Sequence, residues 1–431
     1  MNMDKKHVRM NEKKLLALIL ILALLLRVTF ALIVPIFEKP DEKSHFEYVE
    51  FIVDNKKLPV QQEGQHGAEF FQPPFYHVLA SFILGFVGAF TENTQYRVIS
   101  LRVLSILVSM FTLFWIYKIA SMLFRNNALI LGIVAFASFL PSNINMNSAV
   151  TNANFGDLLS TLIIYLLLNI MTKKEIQKKD ILLLGLVAGV ALITRLSIIP
   201  VILAIPFAFI IRYSPKIRAN IKNIIKPLLV IGVIAIIISG WNFLRNFALY
   251  GDFLGINAMK LASLPDEINP DLMFIVKLLG WTFITFWAAF GRTNGIFVGN
   301  LDSAGGIALF ALFYSFLLVL ALLAIYGLYR FLKKVKRDKN LEIGRKKSLF
   351  VLAIHLAILS LVFVYFSLYD FQPQGRLFFP AMPAIAVFFT LGMFNCFSKA
   401  SEDKMLVFYL AFFMLIDIFS VLSILSHYSN F

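Results

Sequence analysis

The chain has 431 residues, 59% of them hydrophobic and only 15% charged, and its mean hydropathy is +0.79. That composition excludes a soluble globular domain and describes a polytopic membrane protein. The formal net charge of +15 needs no nucleic-acid partner, because anionic lipid headgroups supply the counter-charge for lysines that flank membrane spans. A single cysteine, Cys396, excludes an internal disulfide framework.

The first apolar run, Leu15 to Phe37, is too long for a signal-peptide core and lacks a small-residue cleavage site, so it reads as an anchor helix. Directly after it comes an acidic stretch over 37–70 carrying Glu38, Asp41, Glu42, Glu47, Glu50, Asp54, Glu63 and Glu69, expected to be helical along the membrane surface. Within it, Asp41 and His45 are four apart and share a helical face that Tyr48 extends, while Glu42 points about 100° away. Gln72, Pro73 and Pro74 then introduce the apolar segment 75–90. At about 16 residues it is short for a span. Counting it as one would turn the lysine-rich segments 173–179 and 333–347 outward, so it reads as an interfacial or re-entrant helix begun by the two prolines.

Further spans are expected at 97–124, 128–142, 155–171, 181–194, 197–212, 227–240, 306–332, 348–368, 377–397 and 405–425. With 15–36 they make about eleven transmembrane helices. The basic segments at 5–14, 173–179, 212–226, 333–347 and 399–404 then all lie on the side of the amino terminus, which the positive-inside rule makes cytoplasmic. Two external segments remain, 37–96 and 241–305, and the aromatic-rich part of the second, 271–292, dips toward or along the bilayer. No repeat, linker or soluble terminal domain is visible, so 1–431 reads as one transmembrane domain.

Arginine is distributed differently from lysine. Arg97, Arg102, Arg195, Arg245, Arg292 and Arg376 map to outer helix ends or external loops. Arg102 lies about a turn and a half inside its helix and Arg195 separates two short spans, so both need an anionic partner. A planar guanidinium suits bidentate contact with phosphate oxygens, which points to an anionic phosphate at the outer leaflet. Arg97 and Arg292 have the simpler reading of snorkelling to headgroups or pairing with the acidic loop. Arg245, in Arg245-Asn246-x-x-x-Tyr250-Gly251-Asp252, and Arg376, in Gln372-Pro373-Gln374-Gly375-Arg376, are placed at loop–helix junctions where glycine and free helix N–H groups favour an anion. Tyr76, Trp241, Trp281 and Trp287 read as membrane-interface aromatics or as the lining of an isoprenoid groove.

Taken in order, Asp41-Glu42-x-x-His45, Gln72-Pro73-Pro74-x-Tyr76, Arg97 to Leu107, Gly185 to Arg195, Arg245-Asn246 with Tyr250-Gly251-Asp252, Phe286-Trp287-x-x-Phe290-Gly291 and Gly375-Arg376-x-x-x-Pro380 resemble the GT-C superfamily of integral-membrane glycosyltransferases. That superfamily includes the protein O-mannosyltransferases and the lipid A aminoarabinose transferases. The resemblance implies a GT-C-like all-α fold and an inverting transfer of a sugar from a polyprenyl-phosphate donor to a lipid, glycan or protein acceptor at the extracytoplasmic face of the plasma membrane. It puts Asp41 in the general-base position with Glu42 beside it, and Arg245, Arg376, Arg195 and Arg102 on the donor phosphate. His45, Tyr76, Gln72 and Asp157 would orient or receive the acceptor. No cofactor is certain; a divalent cation would draw on Asp41, Glu42 and His45, which are too few ligands by themselves.

The chain departs from the family pattern in three respects. Many relatives carry lysine near the position of Arg195, and many carry an acidic residue between the third and fourth spans, where this chain offers Asn152, Asn154 and Asp157. Many relatives also end in a soluble domain, whereas this sequence stops after its last expected span. The alternative reading is a transporter or flippase for an anionic lipid or sugar, favoured by the short pair 181–194 and 197–212. A noncatalytic scaffold is a third reading.

Overall fold

The structure, a computed structural model, describes residues 12–65, 67–262, 270–291, 296–299, 303–337, 343–397 and 401–428. In chain order its helices are α1 (Glu12–Ile33), α2 (Glu42–Asn55), α3 (Phe75–Gly88), α4 (Thr94–Leu123), α5 (Asn127–Phe139), α6 (Pro141–Asn147), α7 (Ala153–Thr172), α8 (Lys178–Leu192), α9 (Ile199–Tyr213) and α10 (Ile221–Tyr250). They continue with α11 (Ile256–Ala262), α12 (Leu272–Trp287), α13 (Ala304–Arg337), α14 (Ile343–Ser367), α15 (Met382–Cys396) and α16 (Glu402–Tyr428). Short 3₁₀ turns at Leu196–Ile198 and Gly375–Ala381 lead into α9 and α15. Among the described residues the only strand pairing is a two-residue antiparallel ladder, Ala289–Phe290 against Ile296–Phe297. The protein is an all-helical, multi-pass membrane protein.

Nine of the described helices are long and apolar enough to span a bilayer, and ten do so if α5 and α6 form one span bent by 61°. The bend has an evident cause: Pro141 opens α6 and has no N–H to continue the α5 ladder. The expected number of about eleven also counts the segment that forms α8. Its 15 residues rise about 22 Å, short of the roughly 30 Å hydrocarbon core. Helix α3, with 14 residues, is shorter still. It lays Tyr76, His77, Ala80 and Leu84 against its neighbours α2 and α4. The expected loop beginning at Trp241 is corrected: α10 runs unbroken through 241–250 and stops at Gly251, whose φ of 76° is the left-handed turn that ends many helices.

Burial separates centre from rim. Helices α7 and α15 bury 67% of their apolar windows, whereas α10 and α13 bury 22%. Helix α13 nonetheless packs closely on α15, because Gly327 and Gly392 bring the two backbones together where any β-carbon would meet a facing backbone carbonyl. A separate apolar cluster of Phe46, Val49, Tyr76, Ala80, Leu84, Val98, Leu101 and Val150 fixes α2 and α3 on α4.

Candidate active site

The chain leaves α1 and divides its two adjacent carboxylates at the start of α2. Asp41 is the residue before the first helical turn and takes a left-handed conformation (φ 59°), which Asp tolerates better than most residues. Its side chain makes no capping bond. Glu42 turns inward and is fully buried. One of its oxygens accepts from Arg102 Nε at 2.8 Å and Val150 N at 3.1 Å, the other from Arg102 Nη2 at 2.6 Å and Phe37 N at 2.9 Å. Arg102 spends its remaining N–H groups on the carbonyls of Ala31, Val34 and Pro35. With every donor and acceptor of the pair engaged, neither residue has one left for a substrate. The expected phosphate role for Arg102 and catalytic role for Glu42 therefore give way to a clamp joining α1, α2, α4 and the link between α6 and α7.

Asp41 faces Arg376 instead, with Nη2 and Oδ2 2.7 Å apart. The Arg376 Nε donates to Gln374 Oε1 at 2.5 Å, which holds the guanidinium from behind. Gly375 makes this placement possible: its N–H donates to Thr285 Oγ1 at 2.8 Å, and a β-carbon there would collide with the backbone of Phe286. The close approach that glycine permits is thus to α12 rather than to an anion. Burial favours the neutral form of Asp41, yet the Arg376 and Arg195 guanidiniums hold its carboxyl below the usual value. The side chain remains 37% exposed. It opens into a cavity of about 900 Å³ whose polar wall includes Ser142, Asn145 and Gln374 and whose aromatic wall includes Trp281, Phe290 and Phe371.

Behind Asp41 lies a buried polar cluster. His45 Nε2 is 3.3 Å from Glu69 Oε2, and His45 Nδ1 is 3.0 Å from His77 Nε2. His77 Nδ1 in turn lies 3.3 Å from the Pro73 carbonyl, and the Tyr48 ring stacks on His77 at 3.8 Å between centroids. Burial pushes His45 down to about 3 and His77 well below its ordinary value. Glu69 moves the opposite way, to about 8, through burial and the charge of Asp41, against the pull of Arg376 and Arg195. Gln72 hydrogen-bonds Glu69 and accepts from Asn152 Nδ2 at 3.1 Å, so it connects the cluster to the start of α7.

Other expected residues are more dispersed. Arg195 stands in the extended link between α8 and α9, where its charge reaches Asp41, Glu69, Arg376 and Asp157. Asp157 is 7% exposed on α7 and faces Arg195. Arg245 lies within α10, not at a loop–helix junction, and donates to the Pro59 carbonyl at 2.5 Å. Its charge acts on Tyr48 and does not figure among those that set Asp41. Tyr76 is fully buried against Phe155 and both histidines, out of the cavity. Arg97 pairs with Glu50 at 2.9 Å and covers the Phe46 ring. Arg292 lies outside the described residues.

The three residues expected to hold a divalent cation are engaged within the protein. Glu42 is saturated, Asp41 is held by Arg376 and His45 is turned toward Glu69; among the described residues no group of three or more His, Cys, Asp or Glu is placed to hold a metal. Three contributors stand out only in the structure: Glu69, His77 and Lys39. Lys39 passes under the cavity to donate to Ser148 O at 2.7 Å and Ser148 Oγ at 2.6 Å, just beyond the end of α6. The Pro73–His77 spacing of four, which lets a side chain on the first turn of α3 return to the Pro73 carbonyl, was the available signal for the second. Glu69 had none to distinguish it among the loop acids.

Residues 73–241 match the sequence model of the dolichyl-phosphate-mannose-protein mannosyltransferase family. No curated protein matches the chain. Among solved structures, the Archaeoglobus fulgidus oligosaccharyltransferase AglB, in complex with an inhibitory peptide and a dolichol-phosphate, is similar at TM-score 0.53 and 14% identity, over 96% of this chain and 55% of that one. A second structure of the A. fulgidus enzyme, with Zn and sulfate, gives 0.52 and 15% over 94% and 53%. ArnT from Cupriavidus metallidurans, bound to undecaprenyl phosphate, gives 0.54 and 13% over 91% and 62%. The chain thus spans a little over half the length of these proteins. Nearly all of it superposes on their folds, and the resemblance read from the sequence holds: the protein has the architecture of the GT-C superfamily of membrane glycosyltransferases.

Proposed function

We propose that the protein is an inverting glycosyltransferase that moves a sugar from a polyprenyl-phosphate-linked donor to an acceptor hydroxyl of a lipid, glycan or protein. The observation that carries this reading is the ionised Asp41, partly open to a cavity of about 900 Å³ and 2.7 Å from the Arg376 guanidinium. The AglB and ArnT structures with dolichol-phosphate and undecaprenyl phosphate support the donor class.

In the reaction, Asp41 takes the proton of the attacking hydroxyl, the acceptor oxygen bonds to the anomeric carbon from the face opposite the phosphate, and the carbon–phosphate-oxygen bond breaks with its electron pair leaving on the polyprenyl phosphate. The phosphate gains a negative charge in that step. A fixed guanidinium in a site of low dielectric stabilises the gain more than water would. Arg376 is the direct phosphate ligand and Arg195 adds to the field; Arg102 is too committed elsewhere to share the role, and Arg245 does not line the cavity.

The packing supports a site on the extracytoplasmic face. Arg212 donates to the Lys173 carbonyl and Lys347 to the Arg212 carbonyl, so three basic segments gather at one end of the bundle. The helices α1, α7, α9, α14 and α15 each run between that end and the Asp41 end. A cytoplasmic basic end therefore makes the site extracytoplasmic. The break between α8 and α9, which sequence alone could assign to a transporter, serves here to deliver Arg195.

Arg376→Ala tests the reading: affinity for polyprenyl phosphate should fall about 10- to 100-fold, the loss of a charge-assisted bond of roughly 1.5–3 kcal/mol, while acceptor binding stays near wild type. Equal losses for donor and acceptor would contradict a phosphate role.

A further inference from the structure

A carbonyl oxygen can only accept a hydrogen bond, so the Pro73 carbonyl 3.3 Å from His77 Nδ1 requires the proton on Nδ1. His77 is fully buried between the rings of Tyr48, Tyr76 and His45, and its environment keeps it neutral. Its Nε2 is then a bare acceptor, and the 3.0 Å contact closes only if His45 donates from Nδ1. His45, 2% exposed and likewise neutral, is left with a bare Nε2 facing Glu69 Oε2 at 3.3 Å. That contact in turn closes with the proton on Glu69. One peptide carbonyl thereby fixes three successive protons, and the last of them sits on a carboxyl beside Asp41.

We propose that Pro73, His77 and His45 form a proton-placing chain that keeps Glu69 a neutral acid, so that Asp41 is the ionised member of the carboxyl pair and the donor phosphate meets no second negative charge. His77 does not line the cavity; it is a positioning residue, acting on Glu69 through His45. The inference rests on the glycosyltransferase reading for its consequence, though not for the chain itself. Two carboxyls whose surroundings drive them apart are the usual way one site holds a base and a proton together. Among the groups facing Glu69, Asp41 favours its neutral form. Arg376, Arg195 and the Gln72 hydrogen bond, which favour ionisation, are outweighed by burial and Asp41, and Glu69 is held at about 8.

Two measurements test the chain. In ¹⁵N-histidine NMR of the protein in nanodiscs at pH 7, His45 and His77 should both be neutral with the proton on Nδ1; an imidazolium or an Nε2–H tautomer at His45 overturns the proposal. In binding of a short-chain polyprenyl phosphate, wild-type affinity should fall about tenfold between pH 7 and pH 9 as Glu69 ionises. Glu69→Gln should flatten that fall. His77→Phe, which keeps the stacked ring and removes the acceptor, should move it at least one pH unit lower, and His77→Gln, which restores an acceptor, should return it. A fall that persists in Glu69→Gln, or does not move in His77→Phe, sinks the chain. Tautomers as expected with no phosphate binding at any pH would leave the chain standing and overturn the functional reading instead.

Discussion

Asp41 and Glu42 are neighbours in sequence, each is paired with an arginine from far along the chain, and the two pairs serve opposite purposes. Glu42 and Arg102 are buried, and each has all its hydrogen-bonding capacity occupied. Asp41 and Arg376 meet at 2.7 Å at the wall of a cavity, with much of the carboxylate uncovered. Charge and residue type do not distinguish the pairs. The difference lies in unsatisfied capacity: a saturated pair holds helices in place, and an unsaturated one is available to a ligand.

The largest way to break this contrast is Glu42→Gln. The amide would present N–H groups toward Arg102 or the Phe37 N–H and leave a buried guanidinium uncompensated, costing about 3–5 kcal/mol. Thermal melting in detergent should drop sharply, and a near-wild-type midpoint would show that the clamp is not structural. A smaller effect is expected from Gly375→Ala, which touches neither pair. Its β-carbon meets the Phe286 backbone, so the turn bearing Arg376 must shift, at roughly 1–3 kcal/mol of overpacking. Donor affinity should weaken on the order of tenfold with the melting midpoint only modestly lower. Unchanged affinity would mean that the Asp41–Arg376 distance is not set by this contact.

Much of the scaffold is legible in the apolar runs and the lysines between them, because a bilayer forces length and charge into a simple code. The ends of α10 and the status of α8 are not, since Trp241 to Tyr250 has the polar and aromatic composition of a loop and only packing shows it continuing as helix. In the site, the arginines inside or beside apolar spans rightly signal that anions must be near. For Arg102 the anion is the protein's own Glu42, and sequence spacing has no means of choosing between an internal carboxylate and an external phosphate. The meeting of Asp41 with Arg376 joins residues 335 positions apart, which no local pattern encodes. Glu69 was one acid among eight in its loop until burial and His45 set it apart.

The central claim is that Asp41 supplies chemistry while its neighbour supplies structure, and Asp41→Asn tests it most directly. Asparagine is nearly isosteric and also tolerates the left-handed backbone at this position. The account predicts a fall in sugar transfer of about 10²- to 10⁴-fold with the melting midpoint and membrane insertion of the wild type. Full transfer by that variant, or a collapse of its melting midpoint to that of Glu42→Gln, would contradict it.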